Sequence, residues 1–443
     1  MTLSRTRVSV WLMAFVVMLL CVTCAAAPAK QKATLQVFKN FVRRDGDVLR
    51  DGDREFRFLS FNIPNLHYVE DDMRFEQGMP FRLPDAFEID DALGTIEQMG
   101  GQVVRMYALS VKKPDDPPDL PRYILGPGQF NEQAFVALDQ VIAGALLWSL
   151  RYRTREGGFY WHHEPAGGDY FKAYHWPGFE IGEKYDERRL MRFVRERAFE
   201  IQGLTAPPIT KPAAPRLLSV TSGGQMTWQG SIGASCYNVE RAGAARGPWT
   251  IVGAGVSEAQ VQYRPLFVDG SVRPGRTYYY RVIARNPGGS SEPSSVVGPV
   301  PVTHRTLVDE LWNDSRIFVK EGKLQFVENQ ARKVKEDCHR LSGESKSAVI
   351  YRAPGGIGAV RVFLFGPTDQ PAIRISFSKG CRTFEPVEPA VARTVTYGED
   401  AYGFWKAMRY SAAPGTPPCD FVKIEFQSEA QVSRVEIDHD HAE

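Results

Sequence analysis

Apolar positions in the first two hundred residues change period several times. Phe56–Ile63 is a short apolar run and predicts a strand. Asp90–Met99 has helical spacing, with Leu93, Ile96 and Met99 on one face. Val103–Ala108 predicts a buried strand, and Asn131–Ala143 a helix carrying Phe135, Leu138, Val141 and Ile142 on one side. Leu146–Leu150 predicts another strand, and Leu190–Ile201 an amphipathic helix. Strands alternating with helices imply a parallel sheet or barrel. Beyond residue 214 the period falls to two. Val220, Trp228, Tyr237–Arg241, Trp249–Val252 and Thr277–Ala284 mark short, evenly spaced strands, the pattern of an all-β sandwich. From residue 304 a second strand-rich segment follows, with Val349–Arg352, Val360–Phe365, Ala372–Phe377, Phe421–Phe426 and Ser433–Ile437 alternating in and out. Two Pro-rich joints, Ala206–Pro215 and Val296–Thr303, read as spacers, because Pro stiffens a linker and cannot enter a central ladder.

The N-terminus adds a different signal. Arg5 and Arg7 precede an apolar run, Val8–Val22, and small residues follow at Ala25, Ala26 and Ala27. This is the order of a secretory signal peptide, expected to span 1–27, and the run is short for a membrane span. The expected location is secreted or periplasmic. Of the cysteines, Cys236, Cys338, Cys381 and Cys419 would remain after cleavage, widely spaced and without a zinc-ligand pattern. Export favours a disulfide, and Cys381 with Cys419 is one pairing. The 443 residues ask for several domains. A net charge of +2 gives no basic surface for nucleic acid. Aromatics at 12% fit both sugar stacking and sandwich cores.

Residues 216–300 resemble a fibronectin type III domain, carried by Trp228, Tyr237 and the block Pro274–Gly289. Residues 304–443 resemble a galactose-binding-like β-sandwich through Val308–Asp314, Tyr402–Lys406, Val422–Phe426 and Arg434–Ile437. That resemblance implies sugar stacking by Tyr402 and Trp405, with core packing as the alternative. Residues 34–205 resemble glycoside hydrolase family 5, in its endo-β-mannanase and cellulase branch. Phe41–Asn62 is similar to the family's cap hairpin and first barrel strand, Val103–Tyr107 to the second strand, and Ala145–Arg151 to the eighth. Gly157–Pro165 and Tyr174–Gly178 are similar to the loop after it. The resemblance implies a β-mannan or β-glucan ligand, no cofactor, and substrate contacts from Asn62, Arg105, Trp148 and Trp176.

The departures from that family decide the functional expectation. A (β/α)₈ barrel needs about 250 residues, and here the second helix ends near Ala143 while the eighth strand begins at Ala145. Strands three to seven are not represented, nor are the two glutamates the family places on them. Glycoside cleavage needs two carboxylates in distinct environments across the scissile bond. Asn131-Glu132 reads instead as a helix cap and a first-turn acid, and Asp90 and Asp91 as partners of a helix dipole. Glu164, beside His162 and His163, is the remaining catalytic candidate, on a loop where barrels place their chemistry. Adjacent side chains diverge, so no metal site is expected there. The sequence therefore predicts a partial TIM-barrel-like α/β domain followed by two all-β sandwiches. The protein would be glycoside-hydrolase-like, impaired, and bound to polysaccharide. The alternatives are a non-catalytic binding protein, and a gene model from which the middle of an active mannanase is missing.

Overall fold

A computed structural model describes residues 40–64, 66, 69–70, 81–106, 112, 122, 124–126, 129–134, 147–148, 150–151, 153, 155, 174–178, 180–181, 185–258, 265–328, 334, 339–394, 405–415 and 418–440. The signal segment, most of the 131–143 helix, Glu164 with its two histidines, Tyr402 and Cys338 lie outside them. The chain divides into two compact units, residues 1–56 and 57–443.

In the first unit, β1 (Val42–Asp45), β2 (Val48–Asp51) and β3 (Arg54–Glu55) form an antiparallel meander. Both connections are two residues long and begin with glycine, Gly46 at φ 60° and Gly52 at φ 61°. A tight hairpin turn needs that positive φ at its first central residue, which glycine supplies without a Cβ clash.

The second unit begins with an α/β layer. Its elements are β4 (Phe61–Asn62), the ribbon β5 (Val69–Glu70) with β6 (Phe81–Arg82), α1 (Ala86–Gln98), β7 (Val104–Arg105), the ribbon β8 (Ile124–Gly126) with β9 (Gln129–Phe130), β10 (Leu147–Trp148), the ribbon β11 (Glu180–Ile181) with β12 (Tyr185–Asp186), and α2 (Arg188–Ile201). A capping box starts α1: the Asp85 carboxylate accepts from Glu88 N at 3.0 Å, and Glu88 Oε2 accepts from Asp85 N at 2.9 Å. The helix thus begins four residues before the sequence expectation, because the cap overrides the apolar pattern that marked Asp90 as its start. Asn131 does cap its helix, its Oδ1 accepting from Ala134 N at 3.3 Å.

Strands β10, β4 and β7 run parallel in that order. The described strands make an open sheet and no closed barrel. They are not left bare: Phe61, Ile89, Ile96, Val104, Leu150 and Met191 share one buried cluster under the two helices, and Leu150 bridges to Tyr174 beyond β10.

Next comes an antiparallel sandwich. One sheet has β13 (Arg216–Val220), β14 (Gln225–Gln229) and β17 (Phe267–Val268); the other has β15 (Cys236–Ala242), β16 (Thr250–Val256), β18 (Thr277–Asn286), β19 (Gly289–Ser290) and β20 (Val297–Pro301). Alternate residues Tyr280, Val282 and Ala284 of β18 point inward with Trp228 and Tyr237, whose rings meet at 5.2 Å. Both aromatics are core, as the period predicts.

A second sandwich follows. Its larger sheet holds β21 (Arg305–Asp309), β23 (Leu324–Val327), β24 (Arg340–Gly343), β26 (Ile357–Gly366), β29 (Ala390–Thr394), β30 (Lys406–Ala412) and β32 (Gln431–His439). The facing sheet holds β22 (Val319–Glu321), β25 (Ala348–Arg352), β27 (Ile373–Ser378), β28 (Glu385–Val387) and β31 (Phe421–Phe426). One apolar core lies between them, built from the inward rows of β25, β26, β27, β31 and β32. Its polar members are paired: Tyr351 Oη donates to Asp309 Oδ2 at 2.9 Å. Burial is the main reason the Asp309 carboxyl sits above its usual range.

The joints are not free spacers. Pro207 O accepts from Arg195 Nη2 at 2.7 Å, Thr210 O from Asn286 Nδ2 at 2.9 Å and Ala213 O from Ser231 Oγ at 2.6 Å. The second joint supplies β20 itself, and Val302 is buried. Pro299 and Pro301 are tolerated because β20 pairs on one side only, with β18. Residues 57–443 consequently behave as one compact body.

A buried ion cluster fastens the α/β layer to the first sandwich. Arg153 is 1% exposed. Its Nε donates to Glu258 Oε2 at 2.8 Å, its Nη1 to Asp91 Oδ1 at 3.3 Å, and its backbone N to Asp91 Oδ2 at 3.1 Å. Burial alone would lower the Arg153 pKa, but Glu258, Tyr237 and Asp91 hold it above its ordinary value. Asp91 is therefore an ion-pair partner and not a solvated dipole acid. Gly230 makes the cluster possible. A Cβ there would lie 2.3 Å from Glu258 Oε1, 2.4 Å from Arg153 Nε and 2.4 Å from Tyr237 Oη. Gly230→Ala should cost about 1–3 kcal/mol by forcing these groups apart. Urea unfolding checks this, and an unchanged midpoint would contradict it.

Candidate functional site

Register gathers three of the sequence-derived candidates. Asn62 stands opposite Arg105 on one side and Trp148 on the other, so all three occupy one rung of the parallel sheet. Arg105 is exposed. Asn62 is 1% exposed, and both its side-chain amide atoms lack a hydrogen-bond partner among the described residues. Such a group is costly to bury.

Trp176 is not part of that rung and offers no stacking surface. It is buried in the α/β core, its Nε1 donates to Gln98 Oε1 at 2.9 Å, and the Arg195 guanidinium lies 5.5 Å from its ring. Sequence reasoning placed it on an open loop, yet its chain neighbours dock it under α1. His175 beside it is also buried; burial first, then Arg153 and Arg151, hold its pKa well below the usual value. Trp405, for which the sequence left stacking and packing both open, has packing contacts. It sits half-buried against a small cluster of Val334, Phe363, Phe365 and Ala407 on the outer face of the larger sheet.

A concave feature of the second sandwich lies between the loop joining β27 to β28 and residues Gly415 and Cys419. It is a cleft of about 310 Å³. Phe377 and Cys419, both packed against the core, line it with Lys379, Arg382, Thr383 and Glu385. The period-2 run ending at Phe377 makes the apolar wall, and a turn-rich Lys379–Arg382 stretch makes the polar rim. Burial, then Glu385 and Asp420, push the Cys419 thiol up, with Lys379 opposing them. Cys381 is a free thiol, so the expected Cys381–Cys419 disulfide is absent. Cys381 is fixed at φ 60° within its turn. The sequence reading missed this cleft; the only local sign was a cationic, glycine-containing turn between two strands.

Among the described residues no group of His, Cys, Asp and Glu side chains is arranged to hold a metal ion, and no helix is long and apolar enough to cross a membrane.

No family model and no curated protein matches this chain. Solved structures similar to it include a family 6 carbohydrate-binding module, CsCBM6-3 from Clostridium stercorarium in complex with cellobiose. It has 14% identity and a TM-score of 0.21, over 29% of this chain and 90% of that one. Another is a β-1,3-glucan binding CBM6 from Bacillus halodurans, at 11% identity and TM-score 0.19, over 32% of this chain and 97% of that one. A third is an exo-β-1,3-galactanase from Phanerochaete chrysosporium, at 12% identity and TM-score 0.20, over 51% of this chain and 57% of that one.

Proposed function

We propose that this chain is an exported glycan-binding protein that carries the remnant of a polysaccharide-cleaving barrel and does no hydrolysis itself. The observation that carries the reading is the cleft of the second sandwich, where an apolar wall meets a rim of hydrogen-bonding and charged groups. Sugar rings need both, since one face is apolar and the edges carry hydroxyls. In this reading the first sandwich is a type III-like spacer, docked on both neighbours.

The strand order supports the ancestry. In barrel count, β10, β4 and β7 stand as eighth, first and second strands, parallel and side by side. That is what removal of strands three to seven would leave. Asn62, Arg105 and Trp148 would then be vestiges of a β-mannan or β-glucan subsite.

The test uses the chain without residues 1–27, run in native gels containing β-1,4-mannan, β-glucan, xylan or polygalacturonate. At least one polysaccharide should retard it, and none should release reducing ends. No retardation in any gel would sink the binding role. Reducing ends from mannan would restore the enzyme reading and make Glu164 the first residue to replace.

A further inference from the structure

We propose that the cleft takes a carboxylate-bearing sugar, a uronic-acid residue of an acidic polysaccharide; this rests on the glycan-binding reading above. Of the charged residues lining the cleft, two are cations, Lys379 and Arg382, and one is an anion, Glu385. Neither cation has an ion-pair partner among the described residues, whereas other cations of the same sandwich do. Lys423 sits on Glu321, Arg374 is 3.7 Å from Glu425, and Arg393 is 3.0 Å from Asp369. Two exposed positive groups at the mouth of a cleft give it a positive local potential, which favours an anionic ligand over a neutral one.

The chemistry of the two cations fits one carboxylate. A guanidinium presents two parallel N–H groups to a carboxylate, and an ammonium adds a point charge beside it. Thr383 can donate to a ring oxygen or hydroxyl, and Glu385 can accept from ring hydroxyls. Phe377 supplies the apolar contact. A volume of about 310 Å³ suits one or two pyranose rings and no more. A neutral mannan or glucan would leave both cations unanswered.

Titration calorimetry of the chain lacking residues 1–27 with tri-galacturonic acid, and with cellotriose and mannotriose as neutral comparisons, tests this. The acidic trisaccharide should bind, the neutral ones at least ten-fold more weakly. Charge-assisted bonds carry roughly ten-fold in affinity or more each. Lys379→Gln should therefore weaken binding roughly ten-fold, and Lys379→Gln with Arg382→Gln should abolish it. Both positions are exposed, so the variants should melt with the parent. Raised salt should weaken binding in the parent.

Equal or tighter binding of a neutral trisaccharide would overturn the acidic preference while leaving glycan binding intact. Acidic binding that survives the double substitution would place the ligand elsewhere. Equal binding of polyglutamate would reduce the effect to bulk charge. Failure of all three sugars, together with no retardation in any polysaccharide gel, would remove the glycan-binding reading itself.

Discussion

Arg153→Met should destabilise the 57–443 unit by about 3–5 kcal/mol at neutral pH, which urea unfolding followed by tryptophan fluorescence would measure. The side chain is fully buried, with Asp91 on the α/β layer and Glu258 on the first sandwich as ion-pair partners. Methionine fills a similar volume, so packing changes little. What changes is charge: two buried carboxylates lose their counter-ion, and the water that solvated them in the unfolded chain is not restored.

The pH dependence separates this account from a packing defect. Burial, the largest influence, already holds the Asp91 carboxyl above its usual range, against the pull of Arg153. A carboxyl whose folded pKa is raised favours the fold while protonated. Its contribution is fully present below the unfolded value, about pH 3.9, and is lost as pH rises through the folded value. Removing Arg153 moves the folded value further up. The deficit of the variant should therefore be large at pH 7 and shrink on acidification toward about pH 4. A deficit of the same size at both values would refute the electrostatic explanation. Replacing Asp91 and Glu258 by leucine in the same background should recover much of the loss, because an apolar cluster can match a buried ion pair in stability.

Trp176→Ala should cost about 3–5 kcal/mol, the usual range for emptying a buried aromatic site. The ring lies among Ile96, Met99 and Met191, and its loss also strands the Gln98 amide that accepts its N–H. Trp176→Phe should cost less, about 1–3 kcal/mol, chiefly through that unpaired amide. The folded fraction of either variant should bind polysaccharide as the parent does. Reduced affinity at unchanged stability would return Trp176 to the role the sequence assigned it.

The sequence by itself determined what depends on neighbours close along the chain. The period of two placed Trp228, Tyr237 and Tyr280 inside the first sandwich, and the inward rows of β25, β27 and β31 inside the second. The helical period placed Ile96 and Met99 under α1. Asn131 read correctly as a cap because a cap is settled within four residues. Tertiary structure decided everything that depends on what lies against a face. Alternation along Ser433–Ile437 did not say what covers each face of β32, and Arg434, Glu436 and Asp438 are all buried: Glu436 Oε2 accepts from Arg361 Nε at 2.7 Å, and Gln225 of the first sandwich reaches the same oxygen at 3.5 Å. Asp91 looked like a helix-dipole acid until Arg153, distant in sequence, met it. The Pro-rich joints looked like spacers until their carbonyls found partners on the modules they connect. Periodicity says which side of a strand or helix a residue is on. Only long-range packing says whether that side meets water, a counter-charge or another sheet, and it brought Gly415 and Cys419 to the Lys379–Arg382 turn to form the cleft.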